Sequence, residues 1–373
     1  MALTSIRLGD YIKRSTENNS DLKYGEELIT GVNSTGVFAP PKGSTLGVDL
    51  KPYKIVNNGA FVYNPTRLNL GSLAYRTEGL CIVSHLYMIF YLTEEGKKII
   101  DPQWLYIYFH RDEFKREVTF RNFGSQRPEF NFKDLSNIIV PLPDIDTQRK
   151  YAGIYNAMVS NQECYERGLD DLKLTLEAII ENYKHASIKR NVDSLLREVD
   201  YRNDKGIQEV MGINITKQFI PSVANVNGVD LKKYKIVNDG QFAFSGMQTG
   251  RDKCIRIALY NGQEPIIISP AYTVLEPKDN SIIPEYIMMW FLRKEVDRLG
   301  WFMSDASIRT NLDMDRFYEI EIPVPSHEIQ KSIVEIFHSY NERKEINEKL
   351  KAQIKDICPI LIKGSIKEAR KEA

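Results

Sequence analysis

Residues 47–59 read GVDLKPYKIVNNG, and residues 228–240 read GVDLKKYKIVNDG. Farther along, the stretch Val140–Pro143 returns as Ile322–Pro325 in closely similar form. The two shifts, 181 and 182 residues, are nearly equal and are close to half of the 373-residue chain. Because solenoid repeats have periods of about 20–50 residues, a period of this size indicates a duplicated domain. Two similar surfaces are therefore predicted, which suits a target that has two parts.

Bulk composition narrows the class of protein. An apolar content of 42% is sufficient for ordinary hydrophobic cores, and the length suggests two or three domains. The 50 basic and 50 acidic residues balance. This balance argues against a binder whose affinity comes from bulk positive charge, and it leaves room for local basic faces.

Cysteine usage and hydropathy predict a cytoplasmic protein. The four cysteines form no CxxC pair, as expected of free thiols in a reducing compartment; they are Cys81, Cys164, Cys254 and Cys358. The first ten residues lack the apolar core of a signal peptide. No run of 18 apolar residues is present to span a membrane, so no membrane association is expected.

Each repeat begins with a globular region of mixed α/β (α+β) character. Residues 54–56 and 59–63 are rich in Val, Ile, Phe and Tyr and end at turn residues, which predicts strands. Asp101 and Pro102 are typical of a helix start, as cap and first helical residue, and residues 283–292 are the copy of this helix.

A long helix is predicted to follow each globular region. The helices begin near Thr147 and Glu328, with Asp144, Asp146 or Ser326 available as caps. Each is expected to run for roughly 35 residues, or about 50 Å at 1.5 Å per residue. Apolar residues recur at heptad-like spacing, which predicts that the two helices pack on each other as a coiled coil. The predicted packing residues are Leu169, Leu172, Leu176, Ile179, Ile346, Leu350, Ile354 and Ile357. Packing of each helix against its own globular region alone remains an open alternative.

The sequence contains no recognisable catalytic motif. Phosphate-binding glycine motifs, HExxH and zinc-ligand spacings are missing, and none of the five histidines recurs at the repeat distance. Residues 63–66, Tyr-Asn-Pro-Thr, resemble the Asn-Pro-Pro-aromatic motif of amino-methyltransferases only faintly, and are interpreted as a polar loop after a strand. We therefore expect no enzyme activity and no metal or cofactor in this chain.

Two loops in each repeat have the composition of a target-binding surface. The first covers residues 63–76, within a window from 50 to 77 that contains cations and no acid, and its counterpart covers residues 245–256. The second covers residues 123–130 and its counterpart 305–312, with Ser-x-Arg kept in both. Arg, Asn, Gln and Ser side chains are suited to phosphate and base-edge contacts. A salt bridge from each second-loop Arg to its own domain is an equally open reading. The residues predicted to contact nucleic acid are Asn64, Arg67, Asn69, Ser72, Arg76, Ser125, Gln126, Arg127, Ser245, Gln248, Thr249, Arg251, Lys253, Ser307, Arg309 and Asn311.

The order of these features resembles the DNA specificity subunit of type I restriction-modification systems. In the first repeat the resemblance rests on residues 61–69, 124–128 and 139–143 leading into 147–150. In the second it rests on residues 307–309 and 322–325 leading into 328–333. The family usually has Glu-Gln at the helix start, where this chain has Thr147-Gln148 and Ile329-Gln330.

The resemblance implies a specific organisation and role. Residues 1–145 and 191–325 would be target-recognition domains similar to the DNA-reading domain of adenine methyltransferases. Residues 146–190 and 326–373 would be antiparallel spacer helices, the second followed by a C-terminal tail. Such a protein reads a bipartite, asymmetric site on double-stranded DNA. It positions two modification subunits, which carry S-adenosylmethionine and methylate adenine N6, and in some complexes restriction and translocation subunits.

Two other classes of function remain open from the residues alone. One is a duplicated single-chain DNA methyltransferase or nuclease, which S-adenosylmethionine binding by the isolated chain would support. The other is a coiled-coil scaffold for protein partners, which a lack of salt-dependent DNA affinity in the assembled complex would support.

Overall fold

The chain folds into two compact units. The computed structural model describes residues 3–41, 43–121, 129–186, 188–226, 228–305 and 310–371. Unit 1 comprises residues 1–167 and 345–373, and unit 2 comprises residues 168–344. Each unit therefore contains one globular region together with a segment of each long helix.

The first globular region combines short strands with short helices. Its strands are β1 (Thr4–Arg7), β2 (Ile12–Ser15), β3 (Gly31–Val32), β4 (Phe38–Ala39), β5 (Lys54–Val56), β6 (Phe61–Tyr63), β7 (Leu73–Tyr75), β8 (Cys81–Val83), β9 (Met88–Leu92) and β10 (Ile139–Leu142). Its helices are α1 (Glu94–Ile99), α2 (Pro102–Phe109), α3 (Asp112–Arg121) and α4 (Phe132–Ser136), and α5 (Ile145–Ala186) follows them.

The second globular region follows with a similar series of elements. Its strands are β11 (Ile188–Asn191), β12 (Leu196–Val199), β13 (Val210–Ile213), β14 (Phe219–Pro221), β15 (Lys235–Val237), β16 (Phe242–Ser245), β17 (Arg256–Leu259), β18 (Ile266–Ile268), β19 (Thr273–Pro277) and β20 (Glu321–Val324). Its helices are α6 (Val192–Leu195), α7 (Thr249–Asp252), α8 (Pro284–Phe291), α9 (Lys294–Met303) and α10 (Met314–Tyr318), and α11 (His327–Lys371) follows them.

The two globular regions share one sheet topology. In unit 1, β1 pairs with β10, and β2-β9-β6-β7 form an antiparallel sheet. In unit 2, β11 pairs with β20, and β12-β19-β16-β17 form the equivalent antiparallel sheet. A second sheet has the order β14-β13-β18-β15 in unit 2, whereas in unit 1 it is reduced to the pairs β3-β4 and β5-β8. The predicted duplication is thus present at the level of strand pairing.

Local sequence explains where the buried helices begin. The Asp101 carboxylate accepts a hydrogen bond from the Trp104 N–H at 2.9 Å, and Pro102 occupies the first turn of α2. The cap predicted there is confirmed. Pro284 occupies the first turn of α8, where Ile283 supplies no side-chain cap. Six consecutive residues of each helix, 104–109 and 286–291, are buried in the cores of their units.

The two long helices are longer than predicted, with 42 residues in α5 and 45 in α11. In unit 1 the first part of α5 runs antiparallel to the last part of α11. Lys150 pairs with Glu368 at 2.7 Å and Glu166 pairs with Lys351 at 2.7 Å, so the partner number falls as the residue number rises. Of the predicted packing residues, Leu169 and Leu176 are buried, and Leu172, Ile179, Ile346, Leu350, Ile354 and Ile357 are half-buried.

The same helix segments also pack against the globular regions. In unit 1, Ala152 and Tyr155 of α5 and Leu361 of α11 belong to the core that contains α2. In unit 2, Leu176 of α5 and Val334 of α11 belong to the corresponding core. Within each unit the helices therefore contact each other and the globular region at once, so neither of the two packing schemes considered from sequence is complete alone.

A buried glutamine fixes the start of each long helix. Gln148 accepts a hydrogen bond from the Asp101 N–H at 2.9 Å, and donates to the carbonyls of Ile99 at 2.8 Å and Pro143 at 2.7 Å. Gln330 makes the same three kinds of bond, to the Ile283 N–H and to the carbonyls of Ser281 and Pro325. Both side chains are 0% exposed. Each glutamine thus joins the long helix to the start of the buried helix in its own unit.

Candidate nucleic-acid interface

The loop after β6 in unit 1 is held in a tight turn by Asn64. The Asn64 side-chain oxygen accepts hydrogen bonds from the Thr66 N–H at 3.1 Å and the Thr66 hydroxyl at 2.9 Å. A 3-10 turn over Leu68–Leu70 follows and ends at Gly71, whose φ of 93° is left-handed. A side chain at position 71 would also approach the Ser34 carbonyl within 2.7 Å, which explains the glycine.

Two predicted contact residues on this loop are open to solvent. Arg67 is exposed, and its guanidinium has no ion pair or hydrogen bond to any residue that the structure describes. Asn69 is half-buried and lines a shallow groove on the surface. These two side chains are the ones in this loop that are placed to meet a ligand.

Two others are engaged by the protein itself. The Ser72 side chain is buried and donates a hydrogen bond to the Val32 carbonyl at 3.0 Å. Arg76 lies beyond β7, at the opposite end of the β6-β7 hairpin from the loop. Its guanidinium carbon stands 5.2 Å from the centre of the Phe38 ring. The structure therefore does not bring Ser72 and Arg76 to the same surface as Arg67.

The corresponding loop of unit 2 has a different conformation. Ser245 and Thr249 are buried, and the Thr249 hydroxyl donates to the Gly246 carbonyl at 3.0 Å. Gln248 and Lys253 have left-handed φ values of 63° and 53°. Arg251 is exposed and donates to the Gln248 side-chain oxygen at 2.7 Å. Gln248, Arg251 and Lys253 therefore form the accessible polar edge of this loop.

In each unit the last residue of the second loop lies beside the first loop. In unit 1 the Phe130 N–H donates to the Pro65 carbonyl at 3.0 Å, and in unit 2 the Leu312 N–H donates to the Gly246 carbonyl at 2.8 Å. These two bonds join equivalent positions of the repeats. In unit 2 the Gln248 N–H also donates to the Asn311 side-chain oxygen at 3.1 Å. The remaining second-loop predictions, Ser125, Gln126, Arg127, Ser307 and Arg309, lie outside the described residues.

A helix that the sequence reasoning did not single out borders each loop pair. In unit 1, α3 places Lys115, Arg116, Thr119 and Phe120 beside Asn69. In unit 2, α9 places the Trp301 ring beneath Lys253, with the ammonium 5.3 Å from the ring centre. The sequence contained an indication that this helix is repeated, because α3 and α9 are 182 residues apart and align without a gap.

Charge at these surfaces is only partly neutralised. Lys115 pairs with Asp112 at 3.0 Å and Arg116 with Glu113 at 3.5 Å, and all four side chains are solvent-accessible. Because exposed pairs of this kind contribute about 0–1 kcal/mol, phosphates can replace the carboxylates at little cost.

An ion-paired carboxylate lies beneath the unit 2 loop. Burial opposes ionisation of Asp252, yet hydrogen bonds from Arg256 and Arg251 hold the pKa of that carboxyl below its usual value. The carboxylate therefore stays charged at neutral pH and orients both arginines.

Metal clusters, disulfides and membrane-spanning helices are absent from the described part of the chain. Over those ranges, no group of three or more His, Cys, Asp or Glu is arranged to hold a metal ion. The four cysteines, all described, are free, and three of them are buried. None of the described helices combines the length and apolar character needed to cross a membrane.

Comparison with known proteins gives a consistent family. The model of the type I restriction modification DNA specificity domain matches twice, over residues 7–165 and 195–356. The specificity subunit of the type I restriction enzyme HindI from Haemophilus influenzae is 19% identical over 144 residues, which cover 38% of this chain and 31% of that protein. The chain therefore spans less than a third of the length of this curated relative.

Solved structures of similar proteins cover nearly the whole chain. The S subunit of a type I restriction-modification system from M. genitalium is 13% identical with a TM-score of 0.59, over 98% of this chain and 96% of that one. The HsdS subunit from Thermoanaerobacter tengcongensis is 14% identical with a TM-score of 0.44, over 100% of this chain and 97% of that one. The first of these shows a shared mixed α/β fold.

Proposed function

Because the chain belongs to the type I restriction-modification DNA specificity family, we propose that it reads a bipartite, asymmetric site on double-stranded DNA. Unit 1 recognises one half of the site and unit 2 recognises the other. The observation that carries this assignment is the equivalent loop pair in each unit, joined by the Phe130–Pro65 and Leu312–Gly246 hydrogen bonds. The fold is the same in both units while the loop side chains differ. This is what recognition of two different half-sites requires.

The accessible side chains divide into base and phosphate contacts. Arg67 and Arg251 are exposed guanidinium groups, which pair bidentately with guanine in the major groove or grip phosphates. Asn69 and Gln248 have amide groups, which read adenine edges. The buried hydroxyls of Ser72 and Thr249 act indirectly, by fixing the loops from inside. The predicted contacts on the second loops remain Ser125, Gln126, Arg127, Ser307 and Arg309.

The partners supply the chemistry. Two modification subunits, carrying S-adenosylmethionine, methylate adenine N6 at the site, and restriction and translocation subunits join the complex where the system cuts DNA. Residues 1–145 and 191–325 serve as recognition domains, and residues 146–190 and 326–373 hold them at a fixed spacing. The complex acts in the cytoplasm, where its DNA substrate lies.

The test is methylation mapping with one mutation in each unit. The chain is expressed with its neighbouring methyltransferase subunit in a host without other adenine methylation, as wild type, Arg67→Ala or Arg251→Ala. The expected wild-type motif is two short half-sites around a fixed gap. Each mutation is expected to relax one half-site only, by about 1–3 kcal/mol of discrimination at the contacted base.

Matched controls are exposed lysines away from the loops, Lys23→Ala in unit 1 and Lys205→Ala in unit 2. Both are expected to keep the full motif. Relaxation of the same half-site by Arg67→Ala and Arg251→Ala would contradict the assignment of one half-site to each unit. Absence of any motif, with the methyltransferase shown to be active alongside another specificity subunit, would favour a protein scaffold.

A further inference from the structure

Each unit exposes a phenylalanine at the same position. Phe120 on α3 is 82% exposed and Phe302 on α9 is 85% exposed. The buried residues Val118 and Gly300 stand two positions earlier in the two helices. Because each helical residue turns the chain by about 100°, a step of two residues places the phenylalanine on the opposite face from the core. The helix geometry therefore directs both rings into solvent.

The two phenylalanines are retained while their neighbours differ. Thr119 and Arg121 beside Phe120 correspond to Trp301 and Met303 beside Phe302. An exposed phenylalanine is unfavourable on a water-facing surface, because removing its ring from water lowers the free energy. A ring kept at this position in both copies is best explained by a partner that covers it in both.

Position and charge identify the partner as DNA. Phe120 shares its groove with Asn69 and with the cations Lys115 and Arg116. Asn69 belongs to the first loop of unit 1, residues 63–76; this loop and its unit 2 counterpart, residues 245–256, are called the reading loops below. Phe302 shares its groove with Trp301, Arg298 and Glu295, and the Glu295 carboxylate is paired with Arg293 at 3.3 Å. Lys253 of the unit 2 reading loop lies over the same Trp301 ring. An aromatic side chain flanked by cations is the combination that contacts a base while neighbouring groups hold its phosphates.

We propose that Phe120 and Phe302 are wedge residues, each entering a base step of the half-site read by its unit. The proposal rests on the DNA-reading function and adds a contact to it. A wedge partly unstacks the step and kinks the duplex. It therefore favours flexible pyrimidine–purine steps, which adds specificity without a base-edge hydrogen bond. Unstacking near the target adenine also assists its extrusion toward the partner methyltransferase.

The test measures base unstacking in the assembled complex. The chain and its methyltransferase subunit are purified together and bound to a duplex containing the mapped motif, with 2-aminopurine placed at one position at a time. Wild type is expected to raise the fluorescence at one wedged step in each half-site, in addition to any signal at the extruded adenine and its neighbours. Phe120→Ala is expected to remove the signal in the unit 1 half-site alone, and Phe302→Ala in the other alone. Phe120→Leu keeps an apolar wedge and is expected to retain the signal.

Affinity and salt dependence separate a wedge from a phosphate contact. Phe120→Ala is expected to weaken DNA binding by about 5- to 150-fold. The slope of affinity against salt concentration should stay unchanged, whereas Arg67→Ala, if it contacts a phosphate, lowers that slope by about one. Leu46→Ala, which removes another highly exposed apolar side chain of unit 1, is the control and should change neither quantity.

Two results would overturn the wedge alone, and a third would overturn the DNA-reading function as well. One is unchanged fluorescence and affinity in both alanine variants while the wild-type complex still binds its motif, which leaves the DNA-reading function intact. The other is loss of the methyltransferase subunit from the Phe120→Ala complex, seen as a lower mass by light scattering, which would assign the ring to a protein interface. A wild-type complex without any sequence-specific binding would refute the DNA-reading function and, with it, the wedge.

Discussion

At the residue scale, the buried glutamines are the most consequential side chains outside the loops. Gln148→Leu would leave one backbone N–H and two carbonyls without their partners inside the protein. Since an unsatisfied buried polar group costs about 1–3 kcal/mol, we expect a loss of about 2–4 kcal/mol in the free energy of unfolding, partly relieved by water. Denaturant unfolding of the variant measures it.

The control for this variant is Gln353→Leu, because Gln353 is exposed on α11. It should unfold like wild type. Equal unfolding midpoints for Gln148→Leu and wild type would show that the three hydrogen bonds contribute nothing.

His110 gives unit 1 a dependence on pH. Its ring lies against Gly36 and the Tyr106 ring, and burial lowers its pKa from 6.5 to about 4. The unfolded chain therefore binds the extra proton between pH 6.5 and about 4 while the folded chain does not. Stability should fall by about 1–3 kcal/mol as the pH drops through this window, and the part due to His110 should level off below it.

Thermal unfolding of wild type and His110→Gln at several pH values tests whether His110 lowers the stability as the pH drops. The variant should lose less stability than wild type between pH 6.5 and 4.5, and His85→Gln, at an exposed position, should behave like wild type. Parallel curves for wild type and His110→Gln would contradict the prediction.

At this scale the sequence predicts the residue types of the loops better than the surroundings of each side chain. The polar, cationic character of the reading loops was visible, and Arg67 is exposed as a contact residue must be. The sequence did not show whether the hydroxyl of a loop serine faces solvent or the protein interior. The Ser72 hydroxyl meets the carbonyl of Val32, 40 residues away in the chain, and no local pattern encodes such a contact.

At the element scale, the paired helices make a specific prediction about spacing. In unit 2, Leu172 and Thr175 of α5 line one groove with Ser339 and Arg343 of α11. A seven-residue insertion after Leu172, matched by seven residues after Ser339, would keep the apolar seam and the pairing of both flanks. If the helices set the distance between half-sites, the gap in the methylated motif should lengthen by about three base pairs, since seven residues add about 10 Å.

The unmatched insertion, in α5 alone, is the control. It puts the helix pairing in unit 1 out of register with the pairing in unit 2. If the unit 1 pairs Lys150–Glu368 and Glu166–Lys351 are kept, the apolar packing between α5 and α11 in unit 2 is displaced, which lowers stability. A paired insertion that leaves the gap unchanged would exclude a ruler role for the helices.

Element boundaries were predictable where local signals are strong. The Asp101 cap, the Pro102 start and the strand at 54–56 are confirmed, and the strand predicted over 59–63 covers only 61–63. The helix starts predicted near Thr147 and Glu328 are within two residues of those of α5 and α11, and the expected length of roughly 35 residues was too short. The heptad-like seam covers only part of α5, from Leu169 onward. The earlier turns of α5 bury Ala152 and Tyr155 in the globular core instead. Their spacing reflects a tertiary contact, which a heptad search does not detect.

At the scale of the whole molecule, the duplication extends to the way helices and globular regions pack. Ala152 and Tyr155 occupy the positions of Val334 and Phe337 in the other repeat, and all four pack in or against the cores of their units. The sequence period predicted two similar units. It did not predict that unit 1 would include residues 345–373, because that division depends on helix pairing between distant segments.

The most direct test that each unit recognises one half-site is a chain that carries the unit 1 recognition region twice. Residues 187–326 are replaced with a second copy of residues 1–144. Val334→Ala and Phe337→Tyr give α11 the two residues that Ala152 and Tyr155 supply to the unit 1 core. N6-methyladenine is then mapped in a host that also expresses the methyltransferase subunit. If each unit recognises one half-site, the motif should contain the unit 1 half-site twice around the gap. A motif that still contains the original second half-site would contradict it.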